Sequence, residues 1–127
     1  MSRLLNRLQF LSALAFWPAV ALVAWGELTP SPPQEAGLLW DKAEHFIAYF
    51  GLALMATLFW GIRRSLALVF LAVVALGGIL EILQAYVGRD AEWADMLADT
   101  LGAGVGLGLA VLLLRRLGPL VGRKSRD

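Results

Sequence analysis

Ionisable side chains lie within otherwise apolar segments of this chain, where a charge is costly and therefore indicates function. Carboxylates that share a site of low dielectric constant cannot all ionise, so one of them can stay protonated and act as a general acid. The candidate catalytic residues are Glu81, Asp99 and His45. The polar residues fall in three groups, which are Asp41-Lys42-Ala43-Glu44-His45, then Glu81 with Gln84, and finally Asp90-Ala91-Glu92-Trp93-Ala94-Asp95 followed by Asp99.

Other kinds of chemistry find less support in the sequence. One histidine with several carboxylates is a possible ligand set for Mn²⁺, Mg²⁺ or Zn²⁺. Because the chain has a single His, however, no two histidines occur at ligand spacing, and we expect no metal and no other cofactor. The absence of Cys excludes disulfides, thiol catalysis and cysteine-based metal sites. We find no glycine-rich phosphate loop and no Ser-His-Asp arrangement.

Four apolar segments must position these residues. The 127-residue chain is 59% hydrophobic and 17% charged, whereas a soluble domain has roughly 45–50% apolar and about 25% charged residues. This composition excludes a disordered chain or a nucleic-acid-binding protein. A transmembrane helix needs about 20 apolar residues, and four such segments occur, at about 8–25, 43–62, 66–87 and 96–114. We therefore predict an all-α single domain, a four-helix transmembrane bundle in which consecutive helices run antiparallel.

The basic residues predict the orientation of the bundle, because Lys and Arg concentrate on the cytoplasmic side of membrane proteins. Nine of the eleven fall on one predicted side: Arg3, Arg7, Arg63, Arg64, Arg115, Arg116, Arg123, Lys124 and Arg126. Lys42 and Arg89 fall on the other, together with most of the acidic residues. We expect both termini to be cytoplasmic, the polar groups to lie toward the outer face, and the protein to reside in the cytoplasmic (inner) membrane.

The first segment allows a second interpretation, a cleaved signal peptide, because it starts with basic residues and contains Ala24-Trp25-Gly26. Its apolar stretch exceeds the 7–15 residues usual for a signal peptide, which favours a retained helix. Pro18 should kink this helix. The stretch from Thr29 to Pro33 is typical of an extended linker.

Helical spacing gathers the polar residues into three stripes. The stripes are Asp41, His45, Ala48 and Leu52; Gly77, Glu81, Gln84 and Gly88; and Glu92, Asp95, Asp99, Gly102 and Gly106. Ala98, Gly102, Gly106 and Ala110 recur every four residues, a pattern that lets two membrane helices approach closely. Such packing would hold Asp95 and Asp99 near Glu81 or His45.

Structural roles also account for several of these residues. Asp41 and Asp90 are candidates for helix N-caps, with Glu44 and Glu92 as favourable first-turn charges. Lys42 and Arg89 have two interpretations, either as ion-pair partners for Asp90, Glu44 or Asp95, or as contacts for a phosphate head group. The whole polar set is also open to interpretation as a network that locks the helices together. The aromatic residues at the segment ends are typical of a membrane-interface belt: Trp25, Trp40, Trp60, Tyr86 and Trp93.

Three motifs follow one another along the chain: Asp41-Lys42-Ala43-Glu44-His45-Phe46 with Tyr49-Phe50, then Glu81-Ile82-Leu83-Gln84, and then Asp95-Met96-Leu97-Ala98-Asp99-Thr100-Leu101-Gly102. In this order they resemble the VanZ-like family of small bacterial membrane proteins. Arg89 resembles the arginine of the family in the loop before the last motif. Many relatives have Asn where this chain has Asp99, which adds a possible acid. The resemblance implies a cell-envelope setting and, through the namesake of the family, a link to resistance against the lipoglycopeptide teicoplanin.

These observations lead to three hypotheses about function. In the first, an outward polar pocket binds a lipid-linked or glycan-linked envelope component or a lipophilic antibiotic. The expected lining residues are Asp41, His45, Glu81, Gln84, Arg89, Asp95 and Asp99. In the second, the protein is an enzyme acting on an outer-leaflet lipid carrier, with Glu81 or Asp99 as acid or base and His45 as partner. In the third, the bundle is a structural subunit of a larger membrane complex. Expected partners are thus membrane lipid, a lipid-linked precursor or lipoglycopeptide and a membrane protein, but no nucleic acid.

Overall fold

The structure is a computed structural model that describes residues 3–30, 38–60 and 65–118. The described residues form four helices and no strand: α1 (Arg3–Leu28), α2 (Leu38–Trp60), α3 (Leu66–Tyr86) and α4 (Trp93–Leu117). Each helix is long and apolar enough to cross a membrane. The predicted all-α, four-helix bundle is therefore confirmed. Arg63 and Arg64, and most of the predicted linker from Thr29 to Pro33, lie outside the described residues.

The helices extend beyond the apolar segments that predicted them. α1 begins at Arg3 and continues through Pro18 to Leu28, and α2 begins at Leu38, well before the predicted start at residue 43. A segment predicted from apolar residues ends at the first polar residue. The backbone hydrogen bonds of a helix, in contrast, continue through polar residues as long as the helical geometry is kept. Asp41 and His45 consequently both lie within α2.

The closest helix pair is α2 and α4, because glycines on α4 leave room for the backbone of α2. A methyl group added at Gly102 would overlap the carbonyl oxygen of Phe46, and one added at Gly106 would overlap that of Phe50. Both contacts advance by four residues in the same direction, so α2 and α4 run parallel. The predicted packing role of these glycines is confirmed.

The apolar core lies where α2 meets the other three helices. Its buried residues include Phe16 of α1, Tyr49 and Leu52 of α2, and Val73 of α3. Many large apolar side chains point outward instead, among them Trp17 at 62% exposure and Leu68 at 65%. A soluble monomer rarely exposes contiguous apolar surface on this scale, and in a bilayer these side chains contact lipid.

Candidate functional site

Polar side chains from all four helices meet at one end of the bundle. We name this group the polar cluster and define it as Glu27 of α1, Asp41, Lys42 and His45 of α2, Glu81 and Gln84 of α3, Arg89 of the following loop, and Glu92, Asp95 and Asp99 of α4. The C-terminal ends of α1 and α3 and the N-terminal ends of α2 and α4 lie together here. The three sequence stripes therefore face one another, and every predicted site residue belongs to the cluster.

The centre of the polar cluster is a buried histidine–carboxylate pair. His45 Nδ1 lies 2.8 Å from Asp99 Oδ1. The other ring nitrogen, Nε2, lies 3.8 Å from Asp95 Oδ2, so the imidazole stands between two aspartates one helical turn apart on α4. Gly77 of α3 leaves room for this pair, because a Cβ at that position would come within 2.7 Å of Asp99 Oδ2.

Lys42 is the cation that neutralises the edge of the polar cluster. Its ammonium group donates to Asp41 at 3.2 Å, to Glu92 at 2.7 Å and also to Asp95. The lysine thus joins α2 to α4 beside His45. The predicted ion pairing of Lys42 with Asp95 is confirmed.

Glu81, Gln84 and Arg89 connect α3 and its following loop to the other helices. Glu81 accepts a hydrogen bond from the backbone N–H of Glu92. Gln84 donates to the carbonyl oxygen of Glu27 at 3.1 Å, and Arg89 donates to the carbonyls of Gly26 at 3.1 Å and Glu27 at 2.9 Å. The last carbonyls of a helix have no partner within it, so Arg89 and Gln84 cap the C-terminal end of α1.

The expected N-caps are wrong. Asp41 lies inside the first turn of α2. The N-cap of α4 is Glu92 rather than Asp90, and its side chain makes no capping bond, because it pairs with Lys42 instead. The carboxylate of Glu81 satisfies the exposed N–H at this helix start from outside the helix. Arg89, expected to pair with a carboxylate or a phosphate, contacts backbone carbonyls.

Sequence reasoning missed Glu27, which follows the predicted end of the first apolar segment by two residues. In the structure it is buried at the last turn of α1, with Oε1 3.9 Å from His45 Nδ1. Tyr49, to which the sequence analysis assigned no role beyond a motif, is fully buried and close enough to Glu27 to interact with it electrostatically. The signal for Glu27 was an acid at the very end of an apolar run, where one further helical turn brings it into the bundle.

Several buried polar atoms of this region have no hydrogen-bond partner among the described residues. They are both carboxylate oxygens of Glu27, Tyr49 Oη, Thr57 Oγ1, Glu81 Oε2, Gln84 Oε1 and Asp99 Oδ2. Leaving a buried polar group unpaired costs about 1–3 kcal/mol each. Except for Thr57, these atoms belong to the polar cluster or to the adjacent Tyr49, so the region has unused capacity to bind protons, water or a ligand.

One cavity opens at the polar cluster, and a second lies between α1, α2 and α3. The first, which we name the polar pocket, has a volume of about 190 Å³ and is lined by Val23, Gly26, Glu27, Asp41, Glu44, His45, Ala48 and Arg89. The second, which we name the apolar groove, has a volume of about 390 Å³. It is lined by Phe16, Trp17, Val20, Leu52, Ala56, Trp60, Leu68, Val69, Ala72, Val73 and Leu76. Three of the predicted ligand-binding residues line the polar pocket, whereas Glu81, Gln84, Asp95 and Asp99 lie behind it.

The three motifs of the sequence meet in this arrangement, with His45 and Asp99 in contact and Glu81 against the start of α4. A family model described as VanZ/LLP1 matches residues 4–114. The chain belongs to the VanZ/LLP1 family. Together with its four apolar helices, this membership makes it a small multi-pass membrane protein of the VanZ type. No curated protein and no solved structure matches the chain at a significant level.

Proposed function

We propose that this VanZ/LLP1 protein binds a lipid-linked or glycan-linked component of the cell envelope. The head of the ligand occupies the polar pocket and its hydrocarbon tail occupies the apolar groove. The observation that carries the proposal is that the two cavities follow one another along α1 and α2, with lining residues about one helical turn apart. On α2, Leu52 lines the groove and Ala48, one turn earlier, lines the pocket; on α1, Val20 and Val23 do the same. An amphiphile is the class of ligand that matches adjacent apolar and polar cavities.

The charges of the polar pocket favour particular head groups. Glu27, Asp41 and Glu44 line it, against Arg89 and the imidazole of His45. Arg89 is already engaged with the carbonyls at the end of α1. The acidic lining favours head groups that carry an ammonium group, or that are uncharged and rich in hydroxyl groups, over head groups of net negative charge, because like charges repel strongly where water is scarce. Lipid-linked glycans and lipophilic glycopeptide antibiotics share such groups and an apolar tail.

A retention experiment tests this proposal. The delipidated protein is mixed with phosphatidylethanolamine or phosphatidylglycerol of equal chain length, and bound lipid is counted by native mass spectrometry. We expect the amine-headed lipid to be retained in preference, and the preference to shrink in Glu44→Gln. Ala72→Phe should fill the apolar groove and reduce retention of both lipids. Ile82→Phe, on the lipid-facing surface of α3 away from both cavities, is the matched control.

The lipid experiment has outcomes that exclude the proposal. Equal retention of both lipids would remove the argument from charge. Retention that Ala72→Phe leaves unchanged would remove the argument from the apolar groove. Either result would contradict the proposal that the head of the ligand occupies the polar pocket and its tail the apolar groove.

A second candidate function is an enzyme that acts on an outer-leaflet lipid carrier. It is favoured by the 2.8 Å contact between His45 and Asp99, since a histidine paired with a carboxylate is a common acid–base arrangement. Asp99 or Glu81 would serve as acid or base with His45 as partner. Asp99→Asn keeps the shape of the side chain, so it should abolish turnover of a lipid carrier while leaving lipid retention intact. A simple binding protein has no turnover to lose.

A purely structural role for the polar cluster is less well supported. Lys42 and Arg89 do hold helices together. The unpartnered oxygens of Glu27, Glu81 and Asp99 contribute nothing to such locking and add a cost to folding. The burial of these oxygens therefore favours a ligand-binding role over a purely structural one.

A further inference from the structure

We propose that Glu27, His45 and Asp99 form a binding site for one divalent transition-metal cation, Zn²⁺ or Mn²⁺. One donor atom of each residue lies within 4.8 Å of the donor atoms of the other two. His45 Nδ1 is 2.8 Å from Asp99 Oδ1 and 3.9 Å from Glu27 Oε1. Ligands bound to one such ion at about 2.0–2.2 Å are roughly 3–3.5 Å apart. His45 therefore lies close to the required separation from both carboxylates, and the two carboxylates lie within 4.8 Å of each other.

The unpartnered carboxylate oxygens point independently to a cation. Both oxygens of Glu27 and Oδ2 of Asp99 lack a hydrogen-bond partner among the described residues. Glu27 is 9% exposed and Asp99 1%. Buried carboxylates are normally hydrogen-bonded, paired with a charge or bound to a metal. Asp99 Oδ2 has neither of the first two solutions, and Glu27 has only the imidazole 3.9 Å from its Oε1. A divalent ion supplies the third.

The nearby cations of the protein are committed elsewhere. Lys42 lies on the far side of His45, between Asp41, Glu92 and Asp95. Arg89 donates to backbone carbonyls rather than to the side chain of Glu27. Within the described part of the chain, the imidazole is thus the one basic group that contacts this pair of carboxylates.

Lys42 also distinguishes the proposed site from a second grouping of possible ligands. Asp41, His45 and Asp95 likewise bring donor atoms within 4.8 Å of one another. Lys42 already forms ion pairs with both of these aspartates, so a metal ion there would meet a fixed positive charge. Asp95 suits another role, because its Oδ2 lies 3.8 Å from the outer nitrogen of His45. A histidine that binds a metal usually directs its other N–H toward a carboxylate.

The donor set selects the kind of ion. One imidazole nitrogen and two carboxylates are typical of Zn²⁺ and Mn²⁺, whereas Mg²⁺ and Ca²⁺ prefer oxygen ligands alone. Three protein ligands leave a coordination position open to water or to a bound molecule. Glu27 and His45 also line the polar pocket, so that position is accessible from it. The inference does not depend on the proposed lipid binding.

Metal loading of the purified full-length protein in detergent tests the inference. Bound metal is removed with EDTA, and the protein is incubated separately with Zn²⁺, Mn²⁺ and Mg²⁺. After excess ion is removed, the metal content per chain is measured by inductively coupled plasma mass spectrometry. We expect about one Zn²⁺ or Mn²⁺ per chain and no retained Mg²⁺. Glu27→Gln and Asp99→Asn should each weaken binding more than tenfold. Asp90→Asn, at an exposed carboxylate before α4 that belongs to neither ligand group and lies outside the polar cluster, should bind as the wild type does.

The NMR resonances of the histidine side chain provide a second measurement of metal binding, which does not rely on a variant that fails to fold. The chain contains one His, so ¹⁵N-labelled histidine gives imidazole resonances of His45 alone, and Zn²⁺ should shift them in the wild type and in Asp90→Asn. Glu27 lies at the end of α1, so Glu27→Gln carries the test if Asp99→Asn fails to fold.

Three outcomes would overturn the inference: no retention of Zn²⁺ or Mn²⁺ by the wild type, undiminished retention by Glu27→Gln, or loss of binding in Asp41→Asn with retention in Glu27→Gln. The lipid-retention experiment, run in EDTA, reports on the proposed function separately, so failure of one proposal is distinguishable from failure of the other.

Discussion

Replacing Gly102 by alanine tests how closely α2 and α4 must approach for the polar cluster to form. The added methyl group would overlap the carbonyl oxygen of Phe46 and lie 3.0 Å from its carbonyl carbon. These are backbone atoms, which cannot rotate away as a side chain does. The two helices would have to separate by about 1 Å to restore ordinary contact distances.

The cost of this substitution follows from two opposing effects. Overpacking of this kind destabilises by about 1–3 kcal/mol, whereas replacing a helical glycine by alanine gains about 1 kcal/mol of helix propensity. Gly108 of the same helix provides the matched control, because its added methyl group would meet no atom within 4 Å. We expect Gly102→Ala to be about 1–3 kcal/mol less stable than Gly108→Ala.

The two variants are compared by equilibrium unfolding in mixed detergent micelles, followed by circular dichroism. A second readout is the imidazole ¹⁵N resonance of His45, which neighbours Phe46 in sequence. Helix separation should lengthen the 2.8 Å contact with Asp99 and shift this resonance in Gly102→Ala alone. Equal stabilities together with equal histidine spectra would refute the close-packed interface.

Further predictions concern the polar cluster and the topology. Lys42→Met should destabilise the bundle by about 1–3 kcal/mol in the same unfolding assay, because Asp95 stays buried without its cation; an unchanged unfolding curve would contradict this. Glu81→Ala should cost about 1–3 kcal/mol by leaving the N–H of Glu92 without an acceptor, while Glu81→Gln, whose amide oxygen still accepts, should cost clearly less. Green fluorescent protein fused after Asp127 should fluoresce in bacterial cells if the C-terminus is cytoplasmic, whereas a dark but stable, full-length fusion would contradict the predicted orientation.

Much of the architecture could be predicted from hydrophobicity alone. The four apolar segments became four helices, and the recurrence of Gly102 and Gly106 correctly predicted a close helix contact, because membrane helices associate where small residues let backbones approach. The helix ends were predicted less well. Asp41 was placed at a cap and lies within the first turn, since an apolar window cannot detect a helix that continues through polar residues.

The candidate site was only partly predictable, for a physical reason. Spacing along one helix identifies which residues share a face, and it gathered Asp95 with Asp99 correctly. It does not identify the residues that a neighbouring helix contributes. Glu27 comes from α1, 18 residues before His45 in the chain, and meets it through tertiary packing. The sequence alone shows one His among carboxylates, and we expected no metal on that basis. In the structure, ligand atoms of Glu27, His45 and Asp99 lie within 4.8 Å of one another.

The caps on α1 bear on how sequences of this family can vary. Arg89 and Gln84 hold the end of α1 through main-chain carbonyls of Gly26 and Glu27, and every amino acid, proline included, supplies that carbonyl. The attachment of α1 therefore tolerates substitution at positions 26 and 27, whereas replacing Arg89 or Gln84 removes it. The side chains at the end of α1 can therefore change without loss of the hydrogen bonds that attach this helix to the bundle. Selection on Glu27 can then act on the binding properties of its carboxylate.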